Sequence, residues 1–385
     1  MKNTAKFIAK HCVCFLLHVF YILPINRRKL YFTAFNGSRF SCNPKYLYLY
    51  LKENVPDDFV YVWEFIVPQK NRIVKADKTV KPNSFKAVIE AMTSAFIITN
   101  NDFPWWIPLR KKQVLVQTWH GGGAYKKVGG KAGWGKIVNL EQKLNAKQIS
   151  FYISSSQKFT DVMSVSKCVP SKKFLQCGMP RNSFLLNINE SKKYEILEKF
   201  GLRSSSKILL YAPTYRGVPV WKSDDSTRNY GTLDFLMLKK ICEETFGSSF
   251  VILYRAHHVD SNLKNALPDS VLDATRYEDM QELLCAADVL VTDYSSSMWD
   301  FALTKKPCFL YAPDLRQYIA ERGFYTEPRS WPFPLAESEE ELWKNISDFD
   351  SERYVAAVQK HLDDFGSYEN KDACEKVCRA VGIKV

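Results

Sequence analysis

The sequence lacks the patterns by which several classes of protein are recognised. Ten cysteines are scattered along the 385 residues, and they form no paired Cys-x-x-Cys sets with the spacing of a zinc site. No RNP motif, helix-turn-helix signal or zinc-finger spacing is present, so nucleic acid is the least favoured partner. There is also no repeat of fixed period and no low-complexity tract. These absences argue against a metal-stabilised, nucleic-acid-binding or repeat protein.

Acidic residues are outnumbered by basic ones. The chain has 54 Lys and Arg against 41 Asp and Glu, a formal net charge of +13 and a pI of about 9.1. We therefore expect an acidic partner, either an anionic membrane or a phosphate-rich substrate. The scattered cysteines, with Cys177, Cys285 and Cys308 in apolar surroundings, favour a reducing, cytoplasmic setting.

The first 28 residues form a separate segment. Phe7 to Leu23 is apolar but is interrupted by Lys10, His11 and His18, which makes it a poor membrane span. No small-residue cleavage pattern follows it, as a signal peptide would require. With basic residues on both sides, it is predicted to be a helix on the cytoplasmic surface of the cell membrane. A buried first helix is the alternative, because core helices often have apolar runs of this length.

Beyond residue 28, strand-like and helix-like runs alternate, which is typical of an α/β protein with parallel sheets. We predict two domains, residues 29–186 on the acceptor side and residues 187–385 on the nucleotide donor side. The helices at the end of the chain are assigned to the second domain. In such sheets, ligands bind at the carboxyl ends of the strands. Polar residues at strand ends are therefore the candidate site residues.

The strand Val114–Trp119 is followed by His120 and then by Gly121, Gly122, Gly123 and Ala124. Glycines after a strand allow the backbone to approach a ligand closely. A histidine at this point can take a proton from an attacking hydroxyl, so His120 is a candidate general base. A capping histidine beside a flexible turn is the alternative interpretation.

Four further strand ends carry candidates for binding an anion. Arg181 follows a Gly-x-Pro turn, where a guanidinium could contact phosphate. Pro213 and Thr214 follow one strand of the second half, and Arg255 and His257 follow the next. After the strand that ends at Thr292 come five residues typical of a helix start, with Asp300 one turn further: Asp293, Tyr294, Ser295, Ser296 and Ser297. Unpaired N–H groups at such a start can bind phosphate, although a plain helix cap would use the same residues.

These motifs occur together in an order known from one family. They are Gln117-Thr118-Trp119-His120-Gly121, Gly178-Met179-Pro180-Arg181-Asn182, Tyr211-Ala212-Pro213-Thr214-Tyr215-Arg216, Arg255-Ala256-His257 and Thr292-Asp293-Tyr294-Ser295-Ser296. In this the chain resembles the CDP-glycerol glycerophosphotransferase family of teichoic-acid synthesis. The family's loop after the histidine is commonly Gly-Thr-Pro-Leu-Lys, whereas this chain has three glycines and Ala124. In length it is similar to the primase members, which add a single unit.

The resemblance implies a GT-B-like fold, with two Rossmann-like domains facing across a cleft. It implies transfer of glycerol phosphate, or a related alditol phosphate, from CDP-glycerol to a membrane-linked acceptor hydroxyl, with release of CMP. His120 and His257 would be catalytic, with His120 as the base. The donor would be bound by Gly121–Ala124, Arg181, Pro213, Thr214, Arg255, Asp293–Ser297 and Asp300. We expect no metal and no tightly bound cofactor, because positioning and electrostatics can supply most of the barrier lowering.

Two other functions fit part of the sequence. One is a GT-B glycosyltransferase that uses a sugar nucleotide, and the other is a non-catalytic protein that binds the membrane surface. The sequence leaves open the acceptor, the choice between glycerol and ribitol phosphate, the number of units added and the oligomeric state.

Overall fold

The computed structural model describes residues 2–67, 76–123, 125–128, 135–187, 190–214, 233–256 and 267–385. The chain divides into two compact units. The first contains residues 1–184 and 366–385, and the second contains residues 185–365. Each unit is built on one parallel sheet.

The first sheet has seven strands in the order β3-β2-β1-β4-β5-β6-β7. Its strands are β1 Asn26–Thr33, β2 Val60–Glu64, β3 Lys78–Val80, β4 Ser94–Thr99, β5 Val114–Gln117, β6 Phe151–Ser154 and β7 Phe174–Gln176. The strand β1 lies in the interior of the sheet, and Lys29 to Thr33 are buried without alternation, as expected of a strand covered on both faces. The α-helices of this unit are Lys2–Leu17, Cys42–Asn54, Phe85–Thr93, Lys136–Gln148, Gln157–Ser166, Pro180–Leu186 (which runs two residues into the second unit) and Ala373–Val381.

The second sheet has six strands in the order β10-β9-β8-β11-β12-β13. Its strands are β8 Lys207–Tyr211, β9 Phe250–Tyr254, β10 Val271–Asp273, β11 Val289–Thr292, β12 Cys308–Tyr311 and β13 Leu335–Ala336. Its α-helices are Glu190–Lys199, Phe235–Phe246, Met280–Ala286, Ser297–Ala302, Leu315–Glu321, Glu339–Ser347 and Ser351–Asp364.

Both sheets reverse their strand order once. In the first sheet the reversal lies between β1 and β4, and in the second it lies between β8 and β11. Loops from neighbouring strands leave in opposite directions at such a point, so a crevice opens beyond the carboxyl ends of the strands. We therefore predict that ligands bind each unit at the carboxyl ends of its strands, and this end of the sheet is called its ligand edge.

The last helix of the chain corrects the predicted domain assignment. We assigned it to the second domain, but Ala373–Val381 packs onto the first unit, where Cys374, Val377, Cys378 and Val381 join the apolar core. The C-terminal segment approaches closely at Gly178, which has a φ of +76° in the left-handed region.

 A Cβ atom at this glycine would lie 2.8 Å from the carbonyl oxygen of Tyr368, so no other residue fits there. The chain order of the elements could not show this return of the C-terminus to the first sheet.

The N-terminal helix is largely exposed. Thr4–Ile22 is long and apolar enough to cross a membrane by length and composition, and 6% of that window is buried. Its exposed apolar side chains are Ile8, Val13, Phe15, Leu16, Val19 and Ile22. The alternative of a buried first helix is therefore wrong. Of the basic residues that follow this segment, Lys29 is buried and donates to Glu90 Oε2 at 2.6 Å.

Candidate active site

His120 lies at the ligand edge of the first sheet, three residues beyond the end of β5. The preceding residue, Trp119, has a φ of 55°, a left-handed conformation that is uncommon for a residue with a side chain. Hydrogen bonds to β4 and β5 help to fix this turn. Trp119 N donates to Gln117 Oε1 at 2.9 Å, and Thr118 Oγ1 donates to the Thr99 carbonyl at 3.0 Å. The strained turn thus sets the direction in which the histidine leaves the strand.

The imidazole of His120 is held in one tautomer. Its Nδ1 lies 2.9 Å from the carbonyl oxygen of Asn100, the residue that follows β4. A carbonyl oxygen can only accept, so Nδ1 carries the proton and Nε2 is the basic nitrogen of the neutral ring. Asn100 itself is fixed, because its Oδ1 accepts from Phe35 N at 2.8 Å.

The surroundings of His120 favour the neutral ring. Trp119 stacks on it with ring centroids 4.4 Å apart, and Phe35 lies at 5.5 Å. Burial lowers the pKa of His120 to about 4, the bond to Asn100 opposes this, and the positive charges of Arg181 and Lys167 lower the pKa further. At neutral pH the ring is therefore unprotonated and able to accept a proton.

Arg181 contacts His120 at the backbone of the histidine. The buried guanidinium donates through Nη1 to the His120 carbonyl at 2.7 Å and to Cys42 Sγ at 3.2 Å. The backbone N of Arg181 donates to Asn43 Oδ1 at 3.1 Å. In the structure these groups hold the histidine loop, and the predicted phosphate contact of Arg181 stays a prediction.

Asn43 and Asn100 are positioning residues that the sequence analysis missed. Asn43 Nδ2 donates to the carbonyls of Thr118 and Trp119 at 2.9 and 3.1 Å, so it supports the turn that carries His120. Both asparagines are fully buried. Nothing in the local sequence shows this burial, since each asparagine looks like a loop or cap residue.

The glycine loop after His120 is anchored to the residue that follows β6. Ser155 Oγ donates to the Gly122 carbonyl at 2.6 Å. A Cβ atom at Gly121 would lie 3.2 Å from Trp119 Nε1, which is tighter than an ordinary contact. The predicted donor contacts of Gly121, Gly122 and Gly123 stay predictions, and Ala124 lies outside the described residues.

In the second unit, Asp293 connects the ends of β8 and β11. Its carboxylate accepts from Thr214 N at 3.0 and 2.8 Å, from the Thr214 hydroxyl and from Tyr294 N. Asp293 is buried, whereas Pro213 and Thr214 are half-buried. These residues lie at the reversal point of the second sheet, where a ligand is expected.

Arg255 also lies at the ligand edge of the second sheet. It follows β9 directly, and its backbone N donates to the Tyr211 carbonyl at 2.9 Å. The structure therefore brings together the backbone positions of Arg255, Pro213, Thr214 and Asp293 at the ends of three adjacent strands. His257 lies outside the described residues.

The predicted donor-binding residues around the helix Ser297–Ala302 differ in their exposure. The Tyr294 ring is buried and stacks on Tyr318 at 4.1 Å, so it belongs to the core. Asp300 is also buried and accepts from Gln281 Nε2 at 3.2 Å. Ser297 donates to Ser295 Oγ at 2.9 Å, and among the three serines Ser295 and Ser296 are partly exposed.

No candidate metal centre is found in the part of the chain that the structure describes. Within it, no three His, Cys, Asp or Glu side chains are grouped so that they could hold a metal ion. All ten cysteines are free thiols.

Comparison with known proteins identifies relatives of the whole chain. A teichoic acid poly(glycerol phosphate) polymerase of Bacillus spizizenii is 29% identical over 370 residues, which is 92% of each chain. A teichoic acid glycerol-phosphate transferase of Staphylococcus aureus is 28% identical and is matched over 99% of each chain. Among solved structures, a histidine variant of the wall teichoic acid polymerase TagF with CDPG has a TM-score of 0.80 at 25% identity, covering 99% of this chain and 96% of that one.

The fold similarity confirms the predicted GT-B-like architecture of two Rossmann-like domains. Residues 15–382 match the model of the family described as CDP-Glycerol:Poly(glycerophosphate) glycerophosphotransferase. The match confirms the resemblance seen in the strand-end motifs and makes the chain an enzyme of the transferase class. The chain belongs to the CDP-glycerol:poly(glycerophosphate) glycerophosphotransferase family.

Proposed function

We propose that the protein transfers glycerol phosphate, or a related alditol phosphate, from CDP-glycerol to a hydroxyl group of a membrane-linked acceptor. The transfer would serve synthesis of a teichoic-acid or capsule-type polymer. The observation that carries the proposal is the orientation of His120, whose Nδ1 donates to the Asn100 carbonyl and leaves Nε2 as the base. The family match supplies the donor class.

In the proposed reaction, an acceptor oxygen attacks the β-phosphorus of CDP-glycerol. A bond forms between that oxygen and phosphorus, the bond from phosphorus to the bridging oxygen breaks, and CMP leaves with the electron pair. His120 Nε2 takes the proton of the acceptor hydroxyl. Arg255, Thr214 and the backbone beside Asp293 are proposed to bind the diphosphate, because they occupy the ligand edge of the second sheet. His257, which lies outside the described residues, is proposed to bind it as well.

The donor is tested by incubating the full chain with CDP-glycerol, CDP-ribitol or UDP-sugars and a lipid-linked acceptor. Release of CMP from CDP-glycerol, with a product heavier by one or more glycerol phosphate units in the mass spectrum, is the expected result. Release of a uridine nucleotide instead would favour the sugar-nucleotide transferase. Lipid binding without any turnover would favour the non-catalytic binding protein.

The lowered pKa of His120 predicts an unusual pH profile. A base with a pKa of about 4 is active in its neutral form, so kcat/KM should stay level as the pH falls from 8 to 5 and decline only near pH 4. The negative diphosphate of a bound donor would raise this pKa, so the acid limb of kcat should lie at higher pH than that of kcat/KM. Initial rates of CMP release in mixed buffers measure both limbs. An acid limb of kcat/KM near 6.5 would contradict the assignment.

The N-terminal helix is proposed to hold the protein on the cytoplasmic face of the cell membrane. Its exposed apolar side chains would enter the interface, and the exposed Lys6 would face anionic headgroups. The net charge of +13 supports attraction of the protein to an anionic membrane surface.

Replacing Phe15, which is 79% exposed, with aspartate tests this proposal. Burial of a phenylalanine side chain contributes about 1.5–3 kcal/mol, so binding to vesicles of anionic lipid should weaken at least about tenfold. Co-sedimentation of the full chain with the vesicles measures the change. The control is Val165→Asp, at another exposed apolar residue of the first unit. Equal binding by both variants would show that the helix does not enter the membrane.

A further inference from the structure

Lys167 has a buried side chain near the candidate base, although a lysine is rarely buried unless it is paired. It directly follows the helix Gln157–Ser166, and its side chain is 4% exposed. Its Nζ donates to both carboxylate oxygens of Asp102, at 3.2 and 3.1 Å. Asp102 lies three residues beyond the end of β4. This ion pair therefore fixes the ammonium of Lys167 close to the loop that follows β4.

The ammonium of Lys167 also contacts the indole of Trp119. Its Nζ lies 4.3 Å from the centroid of the indole ring, within the range of a cation–π interaction. The same indole stacks on the imidazole of His120, with ring centroids 4.4 Å apart and ring planes inclined by 25°. Gly121 leaves room for the indole, because a Cβ atom there would lie 3.2 Å from Trp119 Nε1. The Trp119 side chain thus connects the buried ion pair to the candidate base.

We propose that Lys167 is a positioning residue for His120, because its ammonium, held by Asp102, keeps the Trp119 indole stacked on the imidazole. The bond from Nδ1 to the Asn100 carbonyl fixes one edge of the imidazole, and the indole supports its face. Trp119 needs such a contact, since its left-handed φ of 55° persists only where the surroundings hold it. The inference rests on the proposed function, in which His120 is the base, and adds to it a residue that acts on that base.

The charges of the ion pair also act on His120. Burial is the largest cause of the lowered pKa of this histidine, the positive charges of Arg181 and Lys167 lower the pKa further, and the negative charge of Asp102 raises it. Cys42 adds a thiol to these surroundings, 3.2 Å from Arg181 Nη1. Removing Lys167 alone would leave Asp102 uncompensated, so the pKa of His120 would rise. The two charges oppose each other, so removing both should change this pKa much less.

The test compares Lys167→Met, which removes the ammonium at similar length, with Lys167→Arg, which keeps a positive charge. We expect Lys167→Met to lower kcat for CMP release about tenfold, because the base is less well placed, and to leave the KM for CDP-glycerol unchanged. Lys167→Arg should lose less activity than Lys167→Met. The control is Lys29→Met, because Lys29 is another buried lysine of the first unit and donates to Glu90 Oε2 at 2.6 Å. This control should leave kcat unchanged.

Two further variants separate the indole contact from the charge and guard against loss of the fold. Lys167→Met/Asp102→Asn leaves neither charge of the pair without its partner, which a buried site tolerates better. It should lower kcat about tenfold, as Lys167→Met does. Only Lys167→Met should move the acid limb of kcat/KM to higher pH, by about one pH unit. Trp119→Leu should lower kcat at least as much, and adding Lys167→Met to it should cause no further loss, because residues that act through one contact are not additive.

A measurement without substrate separates this inference from the donor assignment. NMR of the full chain with isotope-labelled histidine identifies the His120 signals by their loss in His120→Ala. We expect the parent and Lys29→Met to show one tautomer with the proton on Nδ1, and Lys167→Met to show exchange between tautomers and a raised pKa of His120. Unchanged His120 signals in Lys167→Met, or parental kcat in both Lys167→Met and the double variant with Asp102→Asn, would overturn the inference. A parent that releases no CMP from CDP-glycerol would contradict the proposed function, whereas the NMR comparison would still decide the role of Lys167.

Discussion

Replacing His120 with alanine is expected to lower kcat for CMP release about 10²- to 10⁴-fold, the usual contribution of a general base. The affinity for CDP-glycerol should change little, because the ring is proposed to act on the acceptor hydroxyl. The physical reason is the fixed tautomer. Nδ1 is bonded to the Asn100 carbonyl at 2.9 Å, so Nε2 is already directed to its role when the substrate arrives. Single-turnover rates and donor binding by calorimetry measure the two quantities separately.

His18→Ala provides the matched control for this prediction. His18 is exposed in the first unit, where its Nδ1 lies 2.8 Å from the Cys14 carbonyl and its ring contacts Tyr21 at 4.8 Å. Its removal should leave kcat unchanged on a soluble acceptor. Near-parental turnover by His120→Ala would show that another group takes the proton. A parallel loss in both variants would indicate a general effect on the fold.

The sequence predicted the position of His120 because a strand followed by glycines is a local pattern. It could not predict what holds the histidine and its turn, because Asn43, Asn100 and Arg181 come from segments far apart in the chain. The guanidinium of Arg181 looked available for phosphate in the sequence. In the structure it donates to the His120 carbonyl, a partner that only tertiary packing determines.

In the second unit, the surroundings of Tyr294 were also beyond what the local sequence could predict. Its place after a strand and before a helix start marked it as a donor contact, and the strand and helix were predicted correctly. An aromatic ring at such a point can face the ligand or the core. Here the ring stacks on Tyr318, and its hydroxyl donates to Asp314 Oδ1 at 3.2 Å. The choice depends on the helix Leu315–Glu321, which lies beyond the motif.

Replacing Asp293 with alanine is expected to weaken CDP-glycerol binding about 100-fold and to lower the free energy of unfolding by about 2–4 kcal/mol. The carboxylate accepts from Thr214 N at 3.0 and 2.8 Å, and it also accepts from Tyr294 N. Without it, these N–H groups lose their partner and the loops after β8 and β11 are no longer joined. Both loops are proposed to bind the diphosphate, so their displacement should weaken donor binding as well as stability.

Asp288→Ala separates the two effects. Asp288 directly precedes β11, at the amino ends of the strands and away from the ligand edge. Its carboxylate accepts from Ile208 N of β8 at 2.9 Å. It therefore makes the same kind of strand connection as Asp293 and should cost a similar free energy of unfolding when it is removed. Because it lies away from the ligand edge, its loss should leave the affinity for CDP-glycerol nearly unchanged. Urea unfolding and calorimetric titration of both variants make the comparison. If the two variants bound CDP-glycerol equally well, the carboxyl ends of β8 and β11 would not be the donor site.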